Sequence, residues 1–180
     1  KYQQIWRVTG ASAANYAMLF LTFAAFLMWM ARRSETEIFW LVMTGLLWFV
    51  RDFHFFAEES PLNPYWFQQV SYYSLYFAVA ASLSFCVAFL KLPNYRRIIV
   101  VLFAIGVALC IFRAAITSTN RTDLATSLAT LGVSLVICGL MVADWLRHRT
   151  LESAALIAIM LFTTALGFHD VGRIPNVNWW

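Results

Sequence analysis

Charge is the scarcest property of this chain. Asp, Glu, Lys and Arg make up 12% of its 180 residues, where an ordinary soluble domain carries about 25%. That scarcity excludes a free-standing water-soluble domain. Lysine is limited to Lys1 and Lys91, both outside the apolar runs, so no intramembrane lysine can form a retinal Schiff base. No glycine-rich phosphate loop appears, and no Ser–His pairing sits in a nucleophile elbow. The acidic "EES" at 58–60 lacks the arginine and histidines of an EExxxR-type intramembrane protease. No catalytic residue is therefore assigned. The three cysteines, Cys86, Cys110 and Cys138, have no CxxC spacing and fall inside apolar runs. They read as buried small hydrophobes. An initiator Met is absent, and the first twelve residues hold no signal-peptide apolar region. With the aromatic ending "NVNWW", this marks the chain as an expected piece of something longer.

What is present is grease. Hydrophobic residues reach 62%, with sixteen Phe, eight Trp and seven Tyr, and the mean hydropathy is +0.69. Aromatic rings gather at bilayer interfaces. The fold class expected is all-α, a polytopic transmembrane helical bundle. The net charge of +4 is too small to point to nucleic acid, and basic loops account for it.

A span needs about 20 largely apolar residues. Segments 13–31, 70–90 and 124–143 meet that without a charge. Segments 38–50, 98–112 and 153–168 are shorter and run into Arg51, Arg113 and the pair His169 and Asp170. Six helices follow, over about 13–31, 38–56, 70–90, 97–116, 123–143 and 152–170, after a linker at 1–12. The loops 31–37, 91–97 and 144–152 hold seven basic residues in 23 positions. The positive-inside rule makes that side cytoplasmic and puts the N-terminus outside. The longest outer loop is "AEESPLNPYWFQQ", 57–69, whose two prolines disfavour helix. Short turns elsewhere predict antiparallel packing of consecutive helices.

The second, fourth and sixth helices then carry charge at their outer ends. The stretch "LVMTGLLWFVRDFHFF" ends in Arg51, Asp52 and His54, and "LFTTALGFHDVGR" ends in His169, Asp170 and Arg173. Arginines at such depth can snorkel to lipid phosphates, but an acid there gains nothing and needs a partner. Asp52 with Arg51 or Arg113, and Asp170 with Arg173 at i,i+3, supply one. The cluster Arg51, Asp52, His54, Arg113, His169, Asp170 and Arg173 thus reads either as a structural ion-pair network or as a ligand- or proton-sensing site. Arginines in a partly desolvated pocket bind small anions, and histidines beside aspartates titrate near neutral pH. Neither HxxxH nor HxH spacing is present, so no metal and no cofactor is assigned. A haem between His54 and His169 belongs to a rival reading, a membrane redox subunit. A small transporter or channel subunit is the other rival; the helix middles offer it only hydroxyls such as Thr44, Ser82, Ser84 and Ser134.

The turn "ARRSETEIFWLVMTG", the outer "SPLNPYWFQQV", the stretch "FLKLPNYRR" and the late "ALGFHDVGR" resemble the membrane region of bacterial seven-transmembrane receptors with diverse intracellular signalling modules. The last motif is similar to the outer end of helix six in histidine-kinase members. The resemblance implies that 13–180 is a transmembrane sensor domain in the bacterial inner membrane. It implies a periplasmic domain before Lys1 and a seventh helix after Trp180. A histidine kinase of a two-component system, or a diguanylate cyclase, should follow in the cytoplasm. It also implies a homodimer formed through the parent protein, with the lipid bilayer and an outer ligand or periplasmic domain as partners.

Overall fold

The computed structural model describes residues 2–52, 63–115 and 120–171. They form six helices: α1 Tyr2–Ala31, α2 Thr36–Asp52, α3 Pro64–Phe89, α4 Tyr95–Ala115, α5 Asn120–His148 and α6 Leu151–Val171. Among the described residues there is no strand. The chain divides into two compact units, Lys1–Ala88 and Phe89–Trp180. The first holds α1, α2 and nearly all of α3; the second holds α4, α5 and α6.

Two helices begin earlier than their apolar runs suggest. The residues expected as a linker are helical from Tyr2 as part of α1, because nothing in 2–12 breaks the backbone ladder. The expected loop 57–69 gives way to helix at Pro64. Proline lacks an N–H, and the first helical position needs none, so Pro64 starts α3 instead of preventing it. Asn63 precedes it and its carbonyl accepts from Phe67 N at 2.9 Å. At the other end α5 runs on to His148, past the apolar limit at residue 143. Asp144 and His148 face each other at i,i+4, 3.7 Å apart, which carries one more helical turn into polar surroundings.

Helices α4, α5 and α6 each bury a seam at three- and four-residue spacing. On α5 it is Thr126, Thr130, Ser134, Cys138 and Met141, and on α6 Ser153, Ile157, Met160 and Thr164. On α4 it is Ile99, Leu102, Gly106 and Arg113. Residues outside these seams are large, apolar and exposed, such as Phe20 and Leu21 on α1, Val100 and Ile111 on α4, and Val136 on α5. A soluble fold does not expose such a surface; lipid accommodates it. The α3 helix is buried nearly all round through Ala78, Ala80, Ala81, Ser84 and Cys86. Small side chains there permit close backbone approach.

In the first unit α1 and α2 pack against each other, and in the second α5 packs on α6 and on α4. The α1–α2 register is fixed at two levels. Gly45 of α2 sits against Thr22, where an added Cβ would overlap Thr22 Oγ1 and lie 3.0 Å from its Cβ and Cγ2. Further along, the Trp29 ring meets Phe39 with centroids 5.5 Å apart. The turns between helices use left-handed residues, Lys91 and Asn94 before α4 and Arg149 before α6. Thr150 then caps α6, its Oγ1 accepting the Ser153 N–H at 3.4 Å. Three helices, over Gln69–Phe89, Tyr95–Ala115 and Leu124–His148, are long and apolar enough to cross a membrane, and the apolar stretch Asn15–Ala31 is shorter.

Candidate functional site

The polar residues singled out from sequence fall into both units. In the first, α2 ends in Arg51 and Asp52, where a basic residue in the last turn complements the helix dipole. Arg51 Nη1 donates to Asp52 Oδ1 at 2.8 Å. The Arg51 guanidinium also lies 5.2 Å from the centre of the Trp48 ring, a cation–π distance. Both charged side chains are mostly covered, at 20% and 26% exposure. Arg51 therefore has its charge balanced within its own helix end. Ser71 Oγ of α3 donates to the Arg51 carbonyl at 3.4 Å, so α3 approaches at the same level.

In the second unit Arg113 is 1% exposed, the largest fully buried side chain described. This departs from the snorkelling geometry open to it in the sequence. Its guanidinium does not reach outward; it turns into the unit, on the same seam as Gly106 and Leu102. A buried guanidinium demands hydrogen-bonding company; hydroxyl-bearing Thr126 and Ser127, near the start of α5, are buried in the same unit. Further along that seam Thr130 Oγ1 donates to Thr126 O at 2.8 Å and Ser134 Oγ to Thr130 O at 3.1 Å.

His54 and Arg173 lie outside the described residues. His169 and Asp170 fall within the α6 backbone, but their side chains are outside what is described. Among the described residues no group of His, Cys, Asp and Glu is arranged to hold a metal ion.

Two buried side-chain amides escaped the sequence reading. Asn15 on α1 is 3% exposed and Gln69 at the start of α3 is 2% exposed. The signal for Asn15 was available: an amide inside an apolar run, two turns before Thr22 on one helix face. Gln69 lay in a segment read as loop.

An all-helical chain with apolar outward faces, polar groups buried at helix ends and span-length helices is a membrane protein. Residues 13–179 match the family model described as 7TM diverse intracellular signalling. The match covers nearly the whole chain, which therefore belongs to that family. Comparison with curated proteins finds no match, and comparison with solved structures finds none. The family carries the functional reading to a membrane signalling segment.

Proposed function

We propose that this chain is the sensory membrane segment of a bacterial inner-membrane receptor. Its six helices span the bilayer with the N-terminus outside and the basic turns at Arg32–Arg33, Lys91–Arg97 and Arg147–Arg149 in the cytoplasm. An outer signal, a small ligand or a neighbouring periplasmic domain, repacks the outer ends of α2 in the first unit and of α4 and α6 in the second. The change passes along the helices to a cytoplasmic output module, a histidine kinase or diguanylate cyclase, within a homodimer. Membership of a signalling family supports the role. The observation that carries the mechanism is the burial of Arg113. A guanidinium held inside a helical unit couples its own hydrogen bonding to helix packing, so a change at its partners becomes a change in α4–α5–α6. Such a unit is a bistable element that a ligand or a proton can bias.

The test uses the full parent receptor with its output assayed in membranes. Asp52→Asn combined with His169→Ala, and separately Arg113→Gln, should blunt the response to outer pH and to outer ligands while the protein still inserts. An unchanged response across pH and ligand in all of these variants would leave the polar helix ends with a structural role only.

A further inference from the structure

The relay proposed above makes no use of Asn15. Its side chain is 3% exposed, and neither Nδ2 nor Oδ1 has a hydrogen-bond partner among the described residues. An amide offers two donors and an acceptor. Leaving either kind buried and unmet is costly, and folded proteins do it rarely. Asn15 therefore calls for a reason.

Its position follows from the helix pair. In an antiparallel pair, a step toward the start of α1 matches a step toward the end of α2. Thr22 meets Gly45 and Trp29 meets Phe39. Two turns back from Thr22 is Asn15, and two turns on from Gly45 is Asp52. The unmatched amide thus lies at the level of the Arg51–Asp52 pair, and Ser71 of α3 reaches that level through the Arg51 carbonyl.

Among the described residues at this level, charge is balanced. Arg51 and Asp52 neutralise each other at 2.8 Å, and the guanidinium is stacked over Trp48. The open valences belong to the amide. A carboxylate ligand would accept from Nδ2 but set its negative charge against the lone pairs of Oδ1. A cation would satisfy Oδ1 alone. A group with a donor beside an acceptor answers both atoms at once, as two amides pair by reciprocal N–H···O bonds.

We propose that the helix ends around Asn15, Asp52 and Ser71 bind an uncharged polar ligand bearing a carboxamide or peptide group, with Asn15 as its reciprocal partner. The inference rests on the outer-end sensing role and narrows its small ligand to a neutral amide.

The test is thermal unfolding of the whole chain in detergent micelles, with acetamide or acetate as the probe at matched concentrations. Acetamide should give a saturable rise in Tm and acetate none. Asn15→Leu removes the unmet amide at nearly constant shape, so it should raise Tm without a probe by about 2–4 °C and abolish the acetamide shift. A fall in Tm in Asn15→Leu would mean that the amide has a structural partner and would overturn the inference. So would an acetamide shift equal in both proteins, or none in either. Stabilisation by acetate in place of acetamide would overturn it and return the site to anions. Should Asn15→Leu fail to fold, the acetamide–acetate comparison on the unaltered chain decides alone. Loss of the acetamide effect with Asp52 variants still blunting receptor output would remove this inference and leave the relay standing.

Discussion

Replacing Gly45 by valine should be the most damaging single-methyl-scale change in the first unit. The Cβ of any residue there overlaps Thr22 Oγ1 and comes within 3.0 Å of Thr22 Cβ and Cγ2. Rotating Thr22 about χ1 moves Oγ1 and Cγ2 but leaves its Cβ where it is, so side-chain rotation cannot relieve the contact. Rotation would also break the bond from Thr22 Oγ1 to Met18 O, now 2.7 Å. The helices must separate instead. Overpacking of a close seam costs about 1–3 kcal/mol, and two further methyl groups put valine at the upper end. Against this stands the gain in helix propensity over glycine, about 0.4 kcal/mol. The net loss is about 2–3 kcal/mol, equivalent to a fall in Tm of about 5–10 °C for a chain of this size. Gly132 and Gly139 of α5 are the internal controls, since nothing lies within 4 Å of a Cβ at either. Valine at those positions should change Tm by no more than about 1–2 °C. Thermal unfolding of the three variants in one detergent decides the matter. If Gly45→Val unfolds within a degree of Gly132→Val, the α1–α2 register argued here is wrong, and with it the level assigned to Asn15.

Two further changes probe separate features. Arg113→Ala should destabilise the chain by about 2–5 kcal/mol, because it empties the volume of the largest fully buried side chain described. Arg51→Ala, at a partly exposed ion pair, should cost about 1 kcal/mol or less; an equal fall in Tm for the two arginines would contradict the burial contrast. Thr150→Ala removes the cap from α6 and should cost about 1 kcal/mol, whereas Thr150→Asp keeps an acceptor for the Ser153 N–H and should hold the wild-type Tm. Equal losses in both Thr150 variants would show that the cap does not act through that acceptor.

Much of the helical layout was legible because apolar runs in a bilayer protein have few alternatives. Backbone groups in lipid must be satisfied within the segment, so an uncharged run of span length becomes a helix. The ends were less legible. Pro64 looked like a breaker and is a starter, a difference set by whether one N–H is needed. Asp144 and His148 looked like loop and extend α5, because a charged pair at i,i+4 tolerates helix as readily as coil. The polar residues separated along the same line. Arg51 and Asp52 announce themselves as charges after an apolar run, and their mutual pairing was among the options read. The burial of Arg113 was not visible, since snorkelling and inward rotation begin from one identical sequence. Choosing between them requires knowing which side of α4 faces protein. Asn15 was legible as an amide inside an apolar run, but that its side of α1 faces protein was not, since a single apolar sequence with a weak amphipathic pattern does not hold it.

The two units hold their helices together by different means. In lipid there is no hydrophobic force between helices, so association depends on packing and on polar contacts. The α1–α2 pair uses shape: a glycine against a threonine, then the ring of Trp29 on Phe39 at 5.5 Å. Atoms fitted this closely allow little sliding, because any shift in register drives a side chain into the space Gly45 leaves. The α5–α6 pair buries a row of hydroxyls instead. Thr130, Ser134 and Thr164 donate to carbonyls of their own helices, the last to Met160 O at 2.8 Å. A hydroxyl satisfied within its own helix adds little to the cross-helix bond, and it bends its helix slightly. A seam of small, internally satisfied side chains costs less to shift than one interlocked by shape. The buried guanidinium of Arg113 lies in the unit that holds this more yielding seam, while the neutralised Arg51–Asp52 pair caps the rigid one. The α5–α6 seam therefore yields to displacement more readily than the α1–α2 hairpin, which shape holds in register.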